Sequence, residues 1–172
     1  VHTNIAGLVR EIKLEEISPH LVSALDEEDL KHDYVKAAAF VTDEAIRDSA
    51  IEEKIKSNPR RTALIVASSL GNFLNVSELV KDYFLDHLYK ITSLIHGMNS
   101  YLPSRLAAVF GVKGPCFFVS SSCTSTSNAI LQADSMLRRN IVDRVILCGV
   151  DICLSLIHIS EPTRLLSISY AV

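Results

Sequence analysis

One cysteine, Cys123, occupies a position where a thiol could act as a nucleophile. It lies in the segment GPCFFVSSSCTSTSNAILQADSMLRRNIVDRVILCGVD (residues 114–151), which reads as a strand, a short turn of small residues, a helix and a second strand. The first N–H groups of a helix lack intrahelical partners and carry about half a positive charge, which favours a thiolate and any oxyanion beside it. We therefore predict a nucleophile elbow, a sharp strand-to-helix turn that presents Cys123. A buried structural thiol is the alternative, because many helices begin with Ser or Thr.

The other cysteines, Cys116, Cys148 and Cys153, adjoin apolar runs. Four cysteines at these uneven spacings predict neither a disulfide framework nor a zinc site, which usually has paired short spacings. We expect Cys116 and Cys148 to behave as small buried hydrophobic residues and no metal to be bound.

Three predicted strands alternate with helices. Thr62 to Ala67 is a short apolar, β-branched run that indicates a strand buried on both faces, and further strands are expected at Pro115 and at Arg144. This order predicts an α/β fold with a largely parallel mixed sheet covered by helices.

Helices are predicted from periodicity and from end signals. For the helix from Lys31 to Ala50 we expect Tyr34, Ala37, Ala38, Val41, Ala45 and Ile46 to face inward and Lys36, Asp43, Glu44 and Arg47 to face outward. Further helices are expected at Val76 to Leu88 after the cap Asn75, at Leu102 to Phe110 with Pro103 in its first turn and Gly111 after its end, and at Thr124 to Leu137. The last of these should have an apolar face of Ile130, Leu131, Ala133, Met136 and Leu137, with Asn140 as its left-handed terminator.

The loop from Ser68 to Asn72 follows the first strand and consists of small residues. Phosphate cradles occupy such positions, but this loop has neither the GxGxxG pattern nor the lysine of a P-loop. We interpret it as a structural turn.

The composition narrows the class of protein. The formal net charge is -3 at pH 7, so neither a nucleic acid nor an anionic membrane surface is predicted as a partner. No apolar run reaches the ~20 residues that a membrane-spanning helix needs, and no signal peptide is visible. We expect a cytoplasmic protein.

The segment SSSCTSTSNAI, followed by a strand that ends in CGVD, resembles the nucleophile region of β-ketoacyl-acyl-carrier-protein synthases, the condensing enzymes of the thiolase superfamily. The approach to that region, LPSRLAAVFGVKGPCFFVSSSC, is similar to the family's helix, Gly-Pro and strand. The upstream segments IAGLVREI, YVKAAAFVTDEAIRDSAI and RTALIVASSLGN also fall in the family's order.

This resemblance implies a thiolase-like fold of two α/β halves, of which residues 1–153 are an incomplete N-terminal half. It also implies that Cys123 is the nucleophile and that its backbone N–H is an oxyanion donor. The substrates would be acyl and malonyl thioesters on the phosphopantetheine of acyl carrier protein, with no other cofactor. A homodimer is expected, formed through the strand Pro115–Val119.

In this family two histidines from the C-terminal half, in His-Gly-Thr and Gly-His motifs, act on the malonyl group. Neither motif occurs in this sequence. We interpret the six histidines, His2, His20, His32, His87, His96 and His158, as solvated or structural. The parent is expected to be a synthase of fatty-acid or polyketide synthesis and this fragment to be inactive. A non-condensing acyltransferase of the superfamily and a catalytically idle dimer partner are the alternatives.

Residues 154–172, LSLIHISEPTRLLSISYAV, resemble the translation of a sequencing-library adaptor. We interpret them as an artefact, not a domain, and exclude them from fold reasoning. A genuine pair of strands is the alternative, since Leu156, Ile157 and Ile159 could lie in a sheet.

Overall fold

The described part of the chain is a parallel sheet covered by helices. A computed structural model describes residues 18–27, 29–71 and 95–151, and the single residues 76 and 80. In chain order its elements are α1 (Pro19–Ala24), α2 (Asp33–Asp48), α3 (Glu52–Ser57), β1 (Thr62–Ala67), α4 (Tyr101–Val109), β2 (Cys116–Val119), α5 (Ser125–Arg138) and β3 (Arg144–Gly149), with 3₁₀ turns at Asp29–Lys31 and Pro59–Arg61.

The strand β1 lies at the centre of the described sheet. The strand order is β2-β1-β3, and both pairings are parallel. Leu64 lies opposite Cys116 on one side and opposite Ile146 on the other. All six residues of β1 are buried, as its unbroken apolar run predicts for a parallel strand covered on both faces.

Side chains of β1 alternate between two apolar clusters, because successive residues of a strand point to opposite faces. Leu64 and Val66 pack in a cluster with residues of α2 and α4, including Val35, Ala38 and Leu106. Ala63, Ile65 and Ala67 pack in a second cluster with Ala129 and Met136 of α5 and with Val142. The sheet is therefore covered on both faces, and the predicted α/β class is confirmed.

Helix α2 is correctly placed by the sequence, but the face it buries differs from the prediction. Asp43, which we expected to face outward, is only 3% exposed, whereas Val41 is 43% exposed. The buried carboxylate of Asp43 accepts a 2.6 Å hydrogen bond from the Ser18 hydroxyl and pairs with Arg47 at 2.8 Å. Because these partners neutralise the charge, an acid can lie on the inner face.

The ends of helix α4 and the start of strand β2 lie close to where the sequence predicted them. Pro103 lies in the first turn of α4. Backbone N–H groups in that turn have no partner within the helix, so the N–H that proline lacks is not needed there. Gly111, just past the end of the helix, has a φ of 69°, in the left-handed region that glycine reaches without a steric penalty. The strand β2 begins at Cys116, so Pro115 precedes the strand that we predicted to include it.

Helix α5 packs against the sheet through a different face from the one predicted. Ser125, Ala129 and Met136 are its buried side chains. The predicted apolar face is wrong in part, because Ile130 is 55% and Leu131 67% exposed. Asn140 ends the helix with a φ of 53°, as predicted.

Several sequence predictions lie outside the described residues. They concern the opening segment IAGLVREI, the cap Asn75 and most of the helix from Val76 to Leu88, Cys153, His2, His87, His158 and the segment 154–172. Among the described residues, no helix has both the length and the apolar character needed to cross a membrane.

Candidate functional site

The carboxyl ends of the three parallel strands meet at one edge of the sheet. Pairing continues one residue beyond β1, since the Ser68 N–H donates to Val119 O at 3.2 Å and the Val150 N–H donates to Ala67 O at 3.0 Å. Polar residues follow each strand here, namely Ser68 and Ser69 after β1, Ser120 after β2 and Asp151 after β3. This edge is where open α/β sheets commonly bind ligands.

The turn between β2 and α5 presents Cys123. Ser122 has a φ of 54°, a left-handed conformation that is uncommon for a residue with a side chain. Cys123 follows it and is exposed, and α5 begins at Ser125, one residue later than predicted. The predicted strand, sharp turn and helix are therefore present, and the thiol lies at the helix start. The Ser122 hydroxyl lies 3.9 Å from the Cys123 sulfur.

Ser125 anchors this turn from the first residue of α5. Its side chain is buried, and its hydroxyl accepts a 2.9 Å hydrogen bond from the Ser121 N–H. The same hydroxyl lies 2.6 Å from Ser122 O and 3.1 Å from Ser68 O, so its single proton can be donated to one of these carbonyls at a time. The turn is thereby bonded both to itself and to the loop after β1.

Two further side chains close the turn from the helix side. The Thr124 hydroxyl donates to Ser121 O at 2.7 Å, and the Asn128 amide donates to the Ser121 hydroxyl at 2.7 Å. Such local side-chain bonds are the reason why Ser, Thr and Asn favour helix starts over helix interiors. The polar first turn of α5 therefore holds the backbone on either side of Cys123.

Asp151 contacts the loop after β1 and was not singled out from the sequence. Its carboxylate accepts hydrogen bonds from the Ser68 hydroxyl at 2.8 Å, the Ser69 N–H at 2.7 Å and the Ser69 hydroxyl at 2.9 Å. The signal available was an acid directly after a predicted strand, at the edge where the other strands end. The described part of this loop contacts the residues at both ends of the cysteine turn, and its interpretation as a structural turn stays a prediction.

The other described cysteines are less accessible than Cys123. Cys148 is buried, and burial raises the pKa of its thiol. Cys116 is half-buried and lies 3.0 Å from Pro103 O, and burial raises its pKa as well. Both therefore favour the neutral thiol, the form that is a poor nucleophile. Among the described cysteines, Cys123 alone is exposed.

The contacts described for two histidines lie elsewhere in the molecule. His20 Nε2 is 3.2 Å from a carboxylate oxygen of Asp43. The His96 ring packs edge-on against Tyr101, with ring centroids 4.6 Å apart. Neither Asp43 nor Tyr101 belongs to the cysteine turn.

A group of possible metal ligands, Asp26, Asp29 and His96, has donor atoms within 4.8 Å of one another. The carboxylate of Asp29, however, already accepts hydrogen bonds from Arg105 and Tyr101. The adjacent guanidinium cation would repel a metal ion, so the arrangement is better explained as an ion-pair network around the buried Asp29.

Comparison with known proteins agrees with this geometry. Residues 9–168 match the family described as "Beta-ketoacyl synthase, N-terminal domain". This range includes part of the segment 154–172, whose adaptor origin stays a prediction.

Two similar proteins are both named "Putative polyketide beta-ketoacyl synthase 1". The one from Streptomyces cyaneus is 30% identical over 122 residues, which are 66% of this chain and 27% of that protein. The one from Streptomyces virginiae is 32% identical over 124 residues, which are 66% of this chain and 29% of that protein. The chain thus spans less than a third of the length of these relatives. The family match covers most of the chain, including the cysteine turn and all three strands, and the chain therefore belongs to the β-ketoacyl synthase family, whose N-terminal domain it carries.

Proposed function

We propose that Cys123 is the nucleophile of a decarboxylative condensing enzyme. The observation that carries this proposal is the exposed thiol between the left-handed Ser122 and the first turn of α5. A helix start favours a thiolate over a thiol, and backbone strain of this kind is concentrated at functional turns. The β-ketoacyl synthase family membership supplies the class of reaction.

In the first step the Cys123 thiolate attacks the carbonyl carbon of an acyl thioester on acyl carrier protein. A sulfur–carbon bond forms, the carrier thiolate leaves, and the acyl group stays on Cys123. The negative charge that develops on the carbonyl oxygen needs hydrogen-bond donors, and we propose the backbone N–H of Cys123 as one of them. Loss of one such donor typically costs about 3 kcal/mol of transition-state stabilisation.

In the second step a malonyl group on a carrier protein loses carbon dioxide, and the electron pair released forms an enolate. Its carbon attacks the acyl-Cys123 carbonyl and expels the Cys123 thiolate, which gives a β-ketoacyl carrier. We propose that two histidines outside this chain stabilise the enolate. The described contacts of His20 and His96, with Asp43 and Tyr101, lie away from the cysteine turn. Because the family's His-Gly-Thr and Gly-His motifs do not occur in this sequence, we expect that the chain by itself does not turn over.

We propose that the strand β2 pairs with β2 of a second copy. In the described sheet β2 is at an edge, and all four of its residues, Cys116 to Val119, are only partly buried. An exposed edge strand presents unpaired N–H and C=O groups that another strand can satisfy. Sedimentation of the full-length protein tests this, with a dimer expected. A monomer at micromolar concentration contradicts it.

The experiment for the nucleophile is mass-spectrometric trapping in the full-length protein that contains this chain. A thiol-reactive condensing-enzyme inhibitor should modify Cys123 stoichiometrically, and an acyl thioester substrate should leave its acyl group on the same residue. Cys123→Ser should abolish both modifications, whereas the matched variant Cys116→Ser should leave them unchanged. A folded protein in which Cys123 stays unmodified would identify a catalytically idle partner and overturn the proposal.

A second measurement identifies the reaction. Acylated enzyme mixed with a malonyl carrier should release carbon dioxide and form a β-ketoacyl carrier in equal amounts. Acyl transfer to a carrier without release of carbon dioxide would instead indicate a non-condensing acyltransferase.

A further inference from the structure

Asp151 makes three hydrogen bonds to two consecutive residues. Its carboxylate accepts from the Ser68 hydroxyl and from both the N–H and the hydroxyl of Ser69. Asp151 stands two residues beyond the end of β3, and Ser68 stands one residue beyond the end of β1. Asp151 is exposed, and hydrogen bonds to a charged acceptor are roughly twice as strong as neutral ones. The carboxylate therefore holds the Ser69 N–H and the hydroxyl groups of Ser68 and Ser69.

Ser68 is held from further directions. It is 1% exposed, its N–H donates to Val119 O, and its hydroxyl accepts a 2.9 Å bond from the Gly71 N–H. The Ser68 N–H donates one hydrogen bond, and its hydroxyl both donates one to Asp151 and accepts one from Gly71. These three bonds hold Ser68 in one orientation. The direction of its carbonyl group is therefore set.

The carbonyl groups of Ser68 and Ser69 contact the two ends of the cysteine turn. The Ser120 hydroxyl donates to Ser69 O at 3.2 Å, and Ser120 is the last residue before the turn. The Ser125 hydroxyl lies 3.1 Å from Ser68 O, and Ser125 is the first residue of α5. Hydrogen bonds thus connect Asp151 through Ser69 to Ser120, just before the cysteine turn. The connection through Ser68 reaches the start of α5 when the Ser125 hydroxyl donates to Ser68 O in place of Ser122 O.

We propose that Asp151 is a positioning residue for Cys123, acting through the loop after β1. The turn contains a residue, Ser122, in the left-handed region, and strained backbone of about 1 to 3 kcal/mol persists only where surrounding contacts over-determine it. The Ser68–Ser69 loop supplies such contacts, and Asp151 holds that loop. This proposal rests on the proposed role of Cys123 as the nucleophile.

Two substitutions of Asp151 separate positioning from charge. Asp151→Ala removes all three acceptor contacts. Asp151→Asn keeps an oxygen at the Oδ1 position, where the Ser68 hydroxyl and the Ser69 N–H both donate, and the Ser69 hydroxyl can rotate to accept from the new amide. The Asn variant should therefore retain most of the Cys123 acylation rate that the Ala variant loses.

The matched control is Asp143→Ala. Asp143 precedes the other end of the same strand, where it accepts a 3.0 Å hydrogen bond from Arg61 Nε. The substitution removes the same charge and a side chain of the same size. It does so at the amino end of β3, whereas the cysteine turn lies near the carboxyl ends of the strands.

The test is single-turnover acylation of the full-length protein by a hexanoyl thioester of N-acetylcysteamine, followed by mass spectrometry of the Cys123 peptide. The amplitude of acylation measures the fraction of folded protein that can be acylated. The rate constant measures how well the Cys123 thiol is positioned to attack the thioester. Asp151→Ala should lower the rate constant about 10- to 100-fold at unchanged amplitude, because misplacement of a reacting group by about 1 Å costs up to that much. The rate constants of Asp151→Asn and Asp143→Ala should remain close to that of the wild type.

Each outcome decides the proposal. If Asp151→Ala lowers only the amplitude and leaves the rate constant unchanged, the residue is merely structural and the positioning role is wrong. If that variant does not fold, Ser69→Ala, which removes a single contact to Asp151, should lower the rate constant by a smaller factor, and an unchanged constant overturns the proposal. If the wild type itself forms no acyl-Cys123, the proposed function fails, and the positioning role fails with it.

Discussion

The buried carboxylate of Asp29 is paired with the guanidinium group of Arg105. Asp29 lies in the first 3₁₀ turn and is 0% exposed, whereas Arg105 lies on α4, which packs against β1 and β2. The Tyr101 hydroxyl donates to the other carboxylate oxygen, and Asp26 and Asp29 each donate a backbone N–H to the other's side chain. The network therefore fastens the segment before α2 to the helix that supports the sheet.

Arg105→Ala should destabilise the fold strongly. It would leave the Asp29 carboxylate buried without its cation, and breaking a buried pair in this way typically costs about 3 to 5 kcal/mol of unfolding free energy. Urea denaturation followed by circular dichroism measures the loss. The control, Arg138→Ala, removes an exposed pair with Asp134 within α5 and should leave the denaturation midpoint unchanged. Equal midpoints for the two variants would show that the Asp29 pair is not structurally important.

Two tyrosines should respond oppositely to loss of their hydroxyl groups. The Tyr34 side chain is 3% exposed, and its hydroxyl has no hydrogen-bond partner among the described residues. Tyr34→Phe should therefore leave stability unchanged or raise it by up to about 1 kcal/mol. Tyr101→Phe removes a hydrogen bond to the buried Asp29 and should cost about 1 to 3 kcal/mol. Denaturant midpoints compared side by side give the result, and a loss for Tyr34→Phe equal to that for Tyr101→Phe contradicts the expectation.

Tyr34 should also make stability depend on alkaline pH. Burial raises its pKa from 10.0 to about 12. The unfolded chain loses the Tyr34 proton at a lower pH than the folded protein does. The free energy of unfolding is therefore unaffected by this group below pH 10 and falls as the pH rises from 10 towards 12. Tyr34→Phe removes this loss, so its stability relative to the wild type should increase by up to about 1.4 kcal/mol per pH unit across that window. A difference that is constant with pH would refute the assignment.

The sequence predicted those features that depend on neighbouring residues. The run from Thr62 to Ala67 is buried along its whole length, and the strand, sharp turn and helix around Cys123 occur where the small residues indicated. Asn140 and Gly111 adopt the left-handed conformation expected at helix ends. These features follow from propensity and periodicity over a few residues, which local sequence determines.

Features that depend on distant partners were not predicted. The buried Asp43 accepts a hydrogen bond from Ser18, 25 residues earlier. Asp151 supports the cysteine turn through Ser68, 83 residues before it in the chain. Ile130 and Leu131 were expected on the inner face of α5, where Ser125, Ala129 and Met136 lie instead. The contact between Asp151 and Ser68 follows from the strand order, which places β1 beside β3 and which periodicity alone does not reveal.

Gly114 should tolerate no side chain, because it allows the segment before β2 to approach β1. A Cβ placed there would lie 2.1 Å from the carbonyl oxygen of Thr62, which is backbone and cannot rotate away. Gly114→Ala should therefore displace β2 and lower stability by several kcal/mol, more than the ~1 to 3 kcal/mol usual for an overpacked side chain. The comparison is Gly111→Ala, which meets nothing within 4 Å and incurs only the penalty of its φ of 69°, about 1 to 2 kcal/mol. A midpoint shift no larger for Gly114→Ala than for Gly111→Ala would count against this close approach.

The described thiols should react with iodoacetamide in a fixed order at pH 8. Cys123 is exposed at a helix start, whereas burial raises the pKa of Cys116 and of Cys148 and so lowers their thiolate fractions at that pH. Cys123 should be labelled first, the half-buried Cys116 later, and the buried Cys148 only when the protein unfolds. Raising the pH towards 10 should accelerate Cys116 more than Cys148, because Cys148 remains inaccessible whatever its charge. Peptide mass spectrometry over time measures the order, with Cys123→Ser as the control that leaves the two slower thiols unchanged. Labelling of Cys148 in the folded protein as fast as that of Cys123 would contradict the packing of β3 against α2.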